Sequence, residues 1–230
     1  GGTWAIVGQT LSSIFFETFV LWSKVKWRPG LIFSIDRVKI LYSFAWKIML
    51  MTFVEAITDQ LRDLFIGKKY SSAALAYYNK GFLFPITIIT NISTSLSSVM
   101  FPVISDTQDD EGKALLLCRK WVSISAYGML PILVGLGMIS EQLIPVFLTE
   151  KWIPSIPYLQ LACVFYVSWI IEIPIRETLK SLGYADVILK MQVVKTASAL
   201  IVLLSVVNLG VIILAASGIA TAIFNILLSI

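Results

Sequence analysis

Seven long stretches of apolar residues fill most of this chain and leave only short polar connections between them. The stretches are residues 3–22, 38–66, 75–104, 121–148, 156–182, 191–207 and 211–230. About 20 apolar residues in a helix cross the roughly 30 Å hydrocarbon core of a bilayer, so each stretch is long enough to span it, 191–207 only just. Because lipid offers no hydrogen bonds to the backbone, we expect an all-α, polytopic membrane helix bundle of about seven transmembrane helices.

The composition excludes most other classes of protein. Charged residues make up 14% of the 230 residues, against about 25% in a soluble domain. The chain has no histidine, which removes a histidine general base and any histidine-ligated zinc or haem. We therefore expect a protein that is not an enzyme and that holds no metal and no cofactor. The two cysteines, Cys118 and Cys163, lie in or beside apolar runs and are interpreted as small buried residues.

Positive charge is distributed unevenly over the connections. Alternate connections fall on the same side of a membrane, and one side then holds eleven lysines and arginines against four on the other. By the positive-inside rule the richer side is cytoplasmic, which explains the net charge of +4 without nucleic acid. The first helix then runs from outside to inside, so we expect this sequence to be an excerpt from a longer protein.

Charged side chains inside the second stretch are the first candidates for a functional site. An ionisable residue at the centre of a membrane helix costs about 2.5–3.5 kcal/mol, so each needs a physical reason. If the whole stretch spans the membrane, its middle is near Thr52, with Lys47 and Glu55 close to that depth. Glu55, Asp59 and Arg62 share one helical face, with Lys47 at its margin. Either this face borders a hydrated cavity for a charged substrate or ion, or Lys47 snorkels to the surface while the carboxylates pair locally with Arg62.

A stripe of small polar residues follows one face of the third stretch. Its members at helical spacing are Thr87, Thr90, Asn91, Thr94, Ser95 and Ser98. Small hydroxylated residues let helices pack closely, whereas a cavity wall rich in hydrogen-bond donors would suit sugar hydroxyls, with Asn91 and Thr94 as candidate contacts. At the outer end of the stretch, residues 77–80 (Tyr-Tyr-Asn-Lys) form an interfacial aromatic and basic cluster.

Two smaller groups complete the polar residues within the apolar stretches. In the first stretch, Gln9, Ser13 and Glu17 recur at intervals of four, which makes Glu17 a candidate for proton or sodium coupling. In the fifth stretch, Glu172 and Arg176 are also four apart, and we interpret them as an ion pair that neutralises both charges.

Short motifs follow one another in a fixed order over the first two thirds of the chain. They are GGTWAIVGQ at 1–9, WRP at 27–29, FS at 33–34, DLFIGK at 63–68, LAYYNK at 75–80, FPVIS at 101–105 with Gln108 and Asp109-Asp110, and EKWIP at 150–154 before Pro157. In order and spacing they resemble the middle of the polysaccharide-transporter branch of the MOP flippase superfamily, the Wzx-type exporters of O-antigen and capsule repeat units. Ala76 departs from the pattern, since the family commonly has glycine there.

The resemblance implies a MOP/MATE-like fold of two six-helix lobes around a central cavity. Residues 1–37 would supply the last helix of the N-terminal lobe and a cytoplasmic linker, and residues 38–230 the helices of the C-terminal lobe. It also implies alternating access that moves a polyprenyl-diphosphate-linked oligosaccharide across the bacterial cytoplasmic membrane, for polysaccharide biosynthesis. The other partners would be membrane lipid and the N-terminal lobe of the same protein, with no nucleic acid.

On that basis the candidate residues take distinct roles. A cation such as Lys47, Arg62 or Lys80 would attract the diphosphate, and Lys47 has the best claim because it is the deepest. Glu55 or Asp59 would be available for ion coupling. The polar face of the third stretch would meet the sugars.

Three other functions are weighed against transport of a lipid-linked glycan. A drug or cation antiporter of the same fold would favour an acidic cavity without a buried cation. A membrane glycosyl- or phosphotransferase would need a carboxylate cluster or a metal motif, and only the run Asp106, Asp109, Asp110 and Glu111 could supply one. We interpret that run as a solvated turn. A structural scaffold would leave the intramembrane charges unexplained.

Overall fold

The computed structural model describes residues 3–25, 34–108 and 110–229, and helices are the regular structure throughout these ranges. The elements are α1 Thr3–Lys24, α2 Ile35–Lys69, α3 Ser72–Ser105, α4 Glu111–Met138, α5 Ser140–Leu148, a 3-10 helix Glu150–Ser155, α6 Ile156–Tyr166, α7 Trp169–Ser181, α8 Ala185–Val206 and α9 Val211–Ser229. The prediction of an all-α fold is therefore confirmed. The chain divides between Ile40 and Leu41 into two compact units, and the site described below lies in the second.

Fewer helices than the seven expected have the length and apolarity of a membrane span. Among the described residues, α3, α4 and α8 qualify, and Glu150–Tyr166 with Trp169–Ser181 forms a fourth if the bent pair is one span. α9 is apolar but shorter. The apolar stretch 121–148 is divided, because α4 ends at Met138 and α5 packs against the 3-10 helix. α2 is long enough, but charged residues recur along it.

The fifth apolar stretch is broken in its middle. α6 and α7 meet at an angle of 43° around Val167 and Ser168. Pro174 in α7 cannot donate a hydrogen bond to the carbonyl four residues earlier, and the Ser168 hydroxyl donates to the Phe165 carbonyl at 3.0 Å. At the break, hydrogen bonds between residues three apart replace some of the α-helical bonds between residues four apart. One of them joins the Ile171 amide to the Ser168 carbonyl at 3.1 Å. α7 therefore begins inside the bundle.

α3 lies at the centre of the second unit, where it packs against α4, α6 and α7. Its closest approach to α6 is at Gly81. A Cβ atom at this position would lie 2.5 Å from the Tyr158 Cβ and 2.8 Å from the Leu159 amide nitrogen. Only a residue without a side chain lets the two backbones come so close. Cys118 and Cys163 are both buried, which confirms their interpretation as core residues.

One end of the second unit gathers the α3–α4 and α7–α8 connections. The Gln108 amide donates to the Ser181 carbonyl at 2.8 Å. The Tyr184 hydroxyl donates to the Glu111 carboxylate at 3.3 Å. This is the end that the charge distribution assigns to the cytoplasm, and we call it the cytoplasmic end.

The opposite end, called here the outer end, gathers the α2–α3, α5–α6 and α8–α9 connections. The Tyr70 hydroxyl donates to the Val207 carbonyl at 2.7 Å and accepts from the Gly210 amide at 2.8 Å. The Lys80 ammonium lies 5.5 Å from the centre of the Trp152 ring. The connections thus alternate between two ends, as the sequence predicts.

Candidate functional site

Two contacts show which part of α2 runs between the two ends of the bundle. At the cytoplasmic end, the Lys47 ammonium lies 2.7 Å from the Asp186 carboxylate at the start of α8. At the outer end, Tyr70 binds the α8–α9 connection. At 1.5 Å per residue the part of α2 between these contacts is about 34 Å long, close to the thickness of the hydrocarbon core. The middle of this part of α2 lies near Thr58, whereas Thr52 is the midpoint of the whole helix, and Lys47 lies at the end of this part next to Asp186. The role of Lys47 as the deepest cation stays a prediction.

A cavity of about 140 Å³ lies at this middle depth, between α2, the α6–α7 break, α8 and α9. Its charged wall residues are Glu55, Arg62, Glu172, Arg176 and Lys195, and its neutral polar ones are Thr58, Gln192, Thr196, Thr221 and Asn225. The aromatic rings of Phe165 and Trp169 complete one side. Three cations and two carboxylates thus line a polar space within a largely apolar bundle.

The charges in this wall are paired between different helices. Lys195 on α8 lies 2.8 Å from Glu172 on α7, and the two side chains are only 14% and 17% exposed. Arg176 on α7 lies 3.6 Å from Glu55 on α2, with both side chains more than a third exposed. A pair as exposed as the second contributes little to stability, whereas breaking a buried pair leaves an uncompensated charge. The Glu172–Lys195 pair is therefore the stronger constraint.

The predicted ion pair between Glu172 and Arg176 is wrong in its partners. Both residues lie on α7, but their carboxylate and guanidinium bind Lys195 and Glu55 on neighbouring helices. Both side chains line the cavity, where partners on α2 and α8 lie within reach, so they pair across helices instead of along their own helix. Local i,i+4 pairing is worth only a few tenths of a kcal/mol, about 0.2–0.5, and is easily displaced by such contacts.

Lys195 is a site residue that the sequence reasoning missed. It is the charged residue of the stretch 191–207, and Gln192 stands three residues before it. A charge inside a membrane helix is as costly at Lys195 as at Lys47 or Glu55, so this cost alone marks Lys195 as a candidate.

Polar space continues from the cavity toward the cytoplasmic end. A second cavity of about 180 Å³ shares Glu55 and Arg176 with the first and extends past Thr52 and Lys180. The Lys47–Asp186 pair lies at the same end of α2 and α8. A charged or hydroxylated ligand could therefore meet polar side chains from the cytoplasmic end to the middle of the bundle.

The remaining candidates on α2 and α3 are distributed over other surfaces. The side chain of Asp59 lies outside the described part of the structure. Asn91 and Thr94 are exposed on α3 and are not among the residues that line the cavity. Neighbouring hydroxyls of the same stripe, such as Thr87 and Thr90, donate to carbonyls of their own helix at 2.7 Å.

Lys80 is not among the residues that line the cavity. Lys80 is held over Trp152 at the outer end, which is the position of an interfacial anchor. Glu17 is exposed on α1 in the first unit. Their suggested roles in substrate binding and ion coupling stay predictions.

Two members of the acidic run have structural partners. The Asp110 carboxylate accepts a hydrogen bond from the Lys113 amide at 3.0 Å and so caps the start of α4. Glu111 accepts from Tyr184. Asp109 lies outside the described residues. These contacts agree with a solvated turn that begins a helix.

Comparison with known proteins places this chain in a family. Residues 1–157 match the family described as "Polysaccharide biosynthesis protein". The chain is similar to the lipopolysaccharide biosynthesis protein WzxC of Escherichia coli (strain K12), with 25% identity over 83% of this chain and 38% of the relative. It is also similar to the teichuronic acid biosynthesis protein TuaB of Bacillus subtilis (strain 168), with 21% identity over 79% of this chain and 39% of the relative.

A third relative is an uncharacterized membrane protein in the cps region of Klebsiella pneumoniae, 24% identical over 66% of this chain and 31% of the relative. The chain thus spans less than two fifths of the length of the curated relatives it matches. No solved structure matches it. The family match extends from the first helix through α2 and α3 to the start of α6, and so includes Glu55 and Arg62 of the cavity wall. Because this match covers more than half of the residues, the chain belongs to the polysaccharide biosynthesis protein family.

Proposed function

We propose that this chain is part of a membrane flippase that moves polyprenyl-diphosphate-linked oligosaccharide repeat units across the bacterial cytoplasmic membrane by alternating access. The observation that carries the proposal is the charged cavity at the middle depth of the bundle. Charges at this depth are costly unless water or a polar ligand solvates them. The membership of the chain in a polysaccharide biosynthesis family supports a glycan-bearing substrate.

The cations of the cavity suit the diphosphate of such a substrate. Arg62, Arg176 and Lys195 outnumber the two carboxylates among the described side chains of the wall. Hydrogen bonds between ionised groups are about twice as strong as neutral ones, and a guanidinium can bind two phosphate oxygens at once. Lys47 would meet the diphosphate first, at the cytoplasmic end of the polar space.

The neutral residues of the wall suit the sugar. Gln192 and Asn225 carry amide groups that both donate and accept hydrogen bonds, and Trp169 offers a ring face. α7 starts at Trp169, which lines the cavity, so the break between α6 and α7 lies beside it. Discontinuous helices of this kind form binding sites near the midplane in many transporters. Asn91 and Thr94 lie on a face of α3 outside this cavity. That face would contact the glycan only if other parts of the full-length protein complete a binding surface there.

A drug or cation antiporter of the same fold is the alternative. A cationic substrate would favour a cavity with more carboxylates than cations. Lys195 is a largely buried cation in the cavity wall, and the described charges there are mostly positive. Both observations support an anionic substrate.

Neutralising Arg62 tests the proposal in the full-length protein. A strain that lacks the gene is expected to accumulate lipid-linked repeat units on the cytoplasmic face, and the parent gene restores export. Arg62→Gln should lower export at least tenfold, because a hydrogen bond to a charged group contributes about 1.5–3 kcal/mol. The matched control is Lys68→Gln, since Lys68 is exposed at the outer end of the same helix. Normal export without the gene, or increased sensitivity to cationic drugs instead, would contradict the proposal.

A further inference from the structure

Two apolar grooves border the cytoplasmic half of α4, apart from the transport cavity. The larger, about 810 Å³, lies between α4 and α7 and is lined by Leu115, Val122 and Leu179, among others. The smaller, about 500 Å³, is a shallow groove on the opposite flank of α4, lined by residues of α4 alone such as Leu116 and Ile124. Arg119 and Ser123 line both grooves. The grooves therefore meet at one cationic side chain.

The depth of Arg119 in the membrane follows from the length of α4. Arg119 and Lys120 precede the outer end of the helix, Met138, by about 27–29 Å at 1.5 Å per residue. That distance is close to the roughly 30 Å thickness of the hydrocarbon core. Both side chains are exposed. They consequently lie at the level of the phosphate groups of the cytoplasmic leaflet.

We propose that these grooves bind an anionic phospholipid of the cytoplasmic leaflet, with its phosphate at Arg119 and Lys120 and one acyl chain on each flank of α4. The cations complement the negative headgroup, and basic sites between membrane helices on the cytoplasmic side are typical of such recognition. The carboxylate of Glu111 accepts a hydrogen bond from Tyr184, and it lies about 12 Å along the helix from Arg119. At that distance it leaves the cationic centre available to a phosphate.

The test measures lipid binding to the purified full-length protein by native mass spectrometry, with phosphatidylglycerol and phosphatidylcholine as probes. The double variant Arg119→Gln and Lys120→Gln should bind phosphatidylglycerol about 25-fold more weakly than the parent. This follows because each basic residue at the surface contributes about 1 kcal/mol and 1.4 kcal/mol is a factor of ten. Binding of phosphatidylcholine should change much less.

The matched control is Lys190→Gln, which removes an exposed cation near the cytoplasmic end of α8 that lines neither groove. Unchanged phosphatidylglycerol binding in this variant supports the assignment. Equal losses in the control and the double variant would indicate a general charge effect and overturn the proposal. Displacement of phosphatidylglycerol by a polyprenyl phosphate through Arg119 would assign the grooves to the transported lipid instead. These lipid-binding results do not depend on whether the protein transports a glycan through the central cavity.

Discussion

Replacement of Lys195 by methionine in the full-length protein is expected to lower both stability and export strongly. The substitution leaves Glu172 without its partner at 2.8 Å, in a cavity where that side chain is only 17% exposed. Breaking a buried pair by removing one partner costs about 3–5 kcal/mol, because the other charge stays buried and uncompensated. The free energy of unfolding in detergent and the export of lipid-linked repeat units measure the two effects separately.

The double variant Glu172→Met and Lys195→Met separates the structural role of the pair from its role in transport. Removing both charges relieves the uncompensated carboxylate, so the free energy of unfolding should return to within about 1 kcal/mol of the parent. Export should stay low, because one of the three cavity cations that we assign to the diphosphate is absent. Normal export in a stable double variant would show that the pair is only structural.

Gly81→Ala is expected to destabilise the bundle strongly. The new Cβ would lie 2.5 Å from the Tyr158 Cβ, 2.8 Å from the Leu159 nitrogen and 2.9 Å from the Ser155 oxygen. Two of these atoms belong to the backbone and cannot move aside alone, so α3 and α6 must separate. Overpacking typically costs about 1–3 kcal/mol, and we expect the upper part of that range. Thermal unfolding of the full-length protein, followed by tryptophan fluorescence, measures the loss.

Gly128→Ala is the matched control for this prediction. Gly128 also lies within a long helix, α4, but a Cβ there would meet nothing within 4 Å. Alanine favours a helix over glycine by about 0.8–1.0 kcal/mol, so this variant should be as stable as the parent or slightly more stable. If both variants lose stability equally, the loss comes from alanine itself in a membrane helix and not from the close contact between α3 and α6 at Gly81.

The sequence was sufficient for the class of fold and for the order of the connections. Both follow from properties that do not depend on tertiary contacts, namely the length of the apolar stretches and the distribution of lysine and arginine. The break between α6 and α7 was harder to predict. Pro174 marks a bend in that stretch, but the 43° angle depends on how α7 packs against α4 and α8.

Part of the cavity wall could be predicted from the charged face of α2, since Glu55 and Arg62 both line the cavity. The place of Lys47 in the bundle could not be predicted, because α2 is 35 residues long and carries charges along its length. Its partner Asp186 lies 139 residues further along the chain. Ion pairs between helices, such as that of Lys195 with Glu172, also depend on tertiary contacts, so no local sequence pattern predicts them.

Accessibility of the cavity to water-soluble reagents tests the central claim most directly. In a full-length variant without Cys118 and Cys163, cysteines would be introduced at Thr58 and Ala199, which line the cavity. Tyr127 is the control, because it is 85% exposed on α4 at a similar depth but apart from the cavity. A thiol must ionise to react with a charged methanethiosulfonate, so only cysteines in contact with water react. We predict rapid labelling at positions 58 and 199 and none at 127, whereas unreactive cysteines at both cavity positions would contradict a hydrated passage.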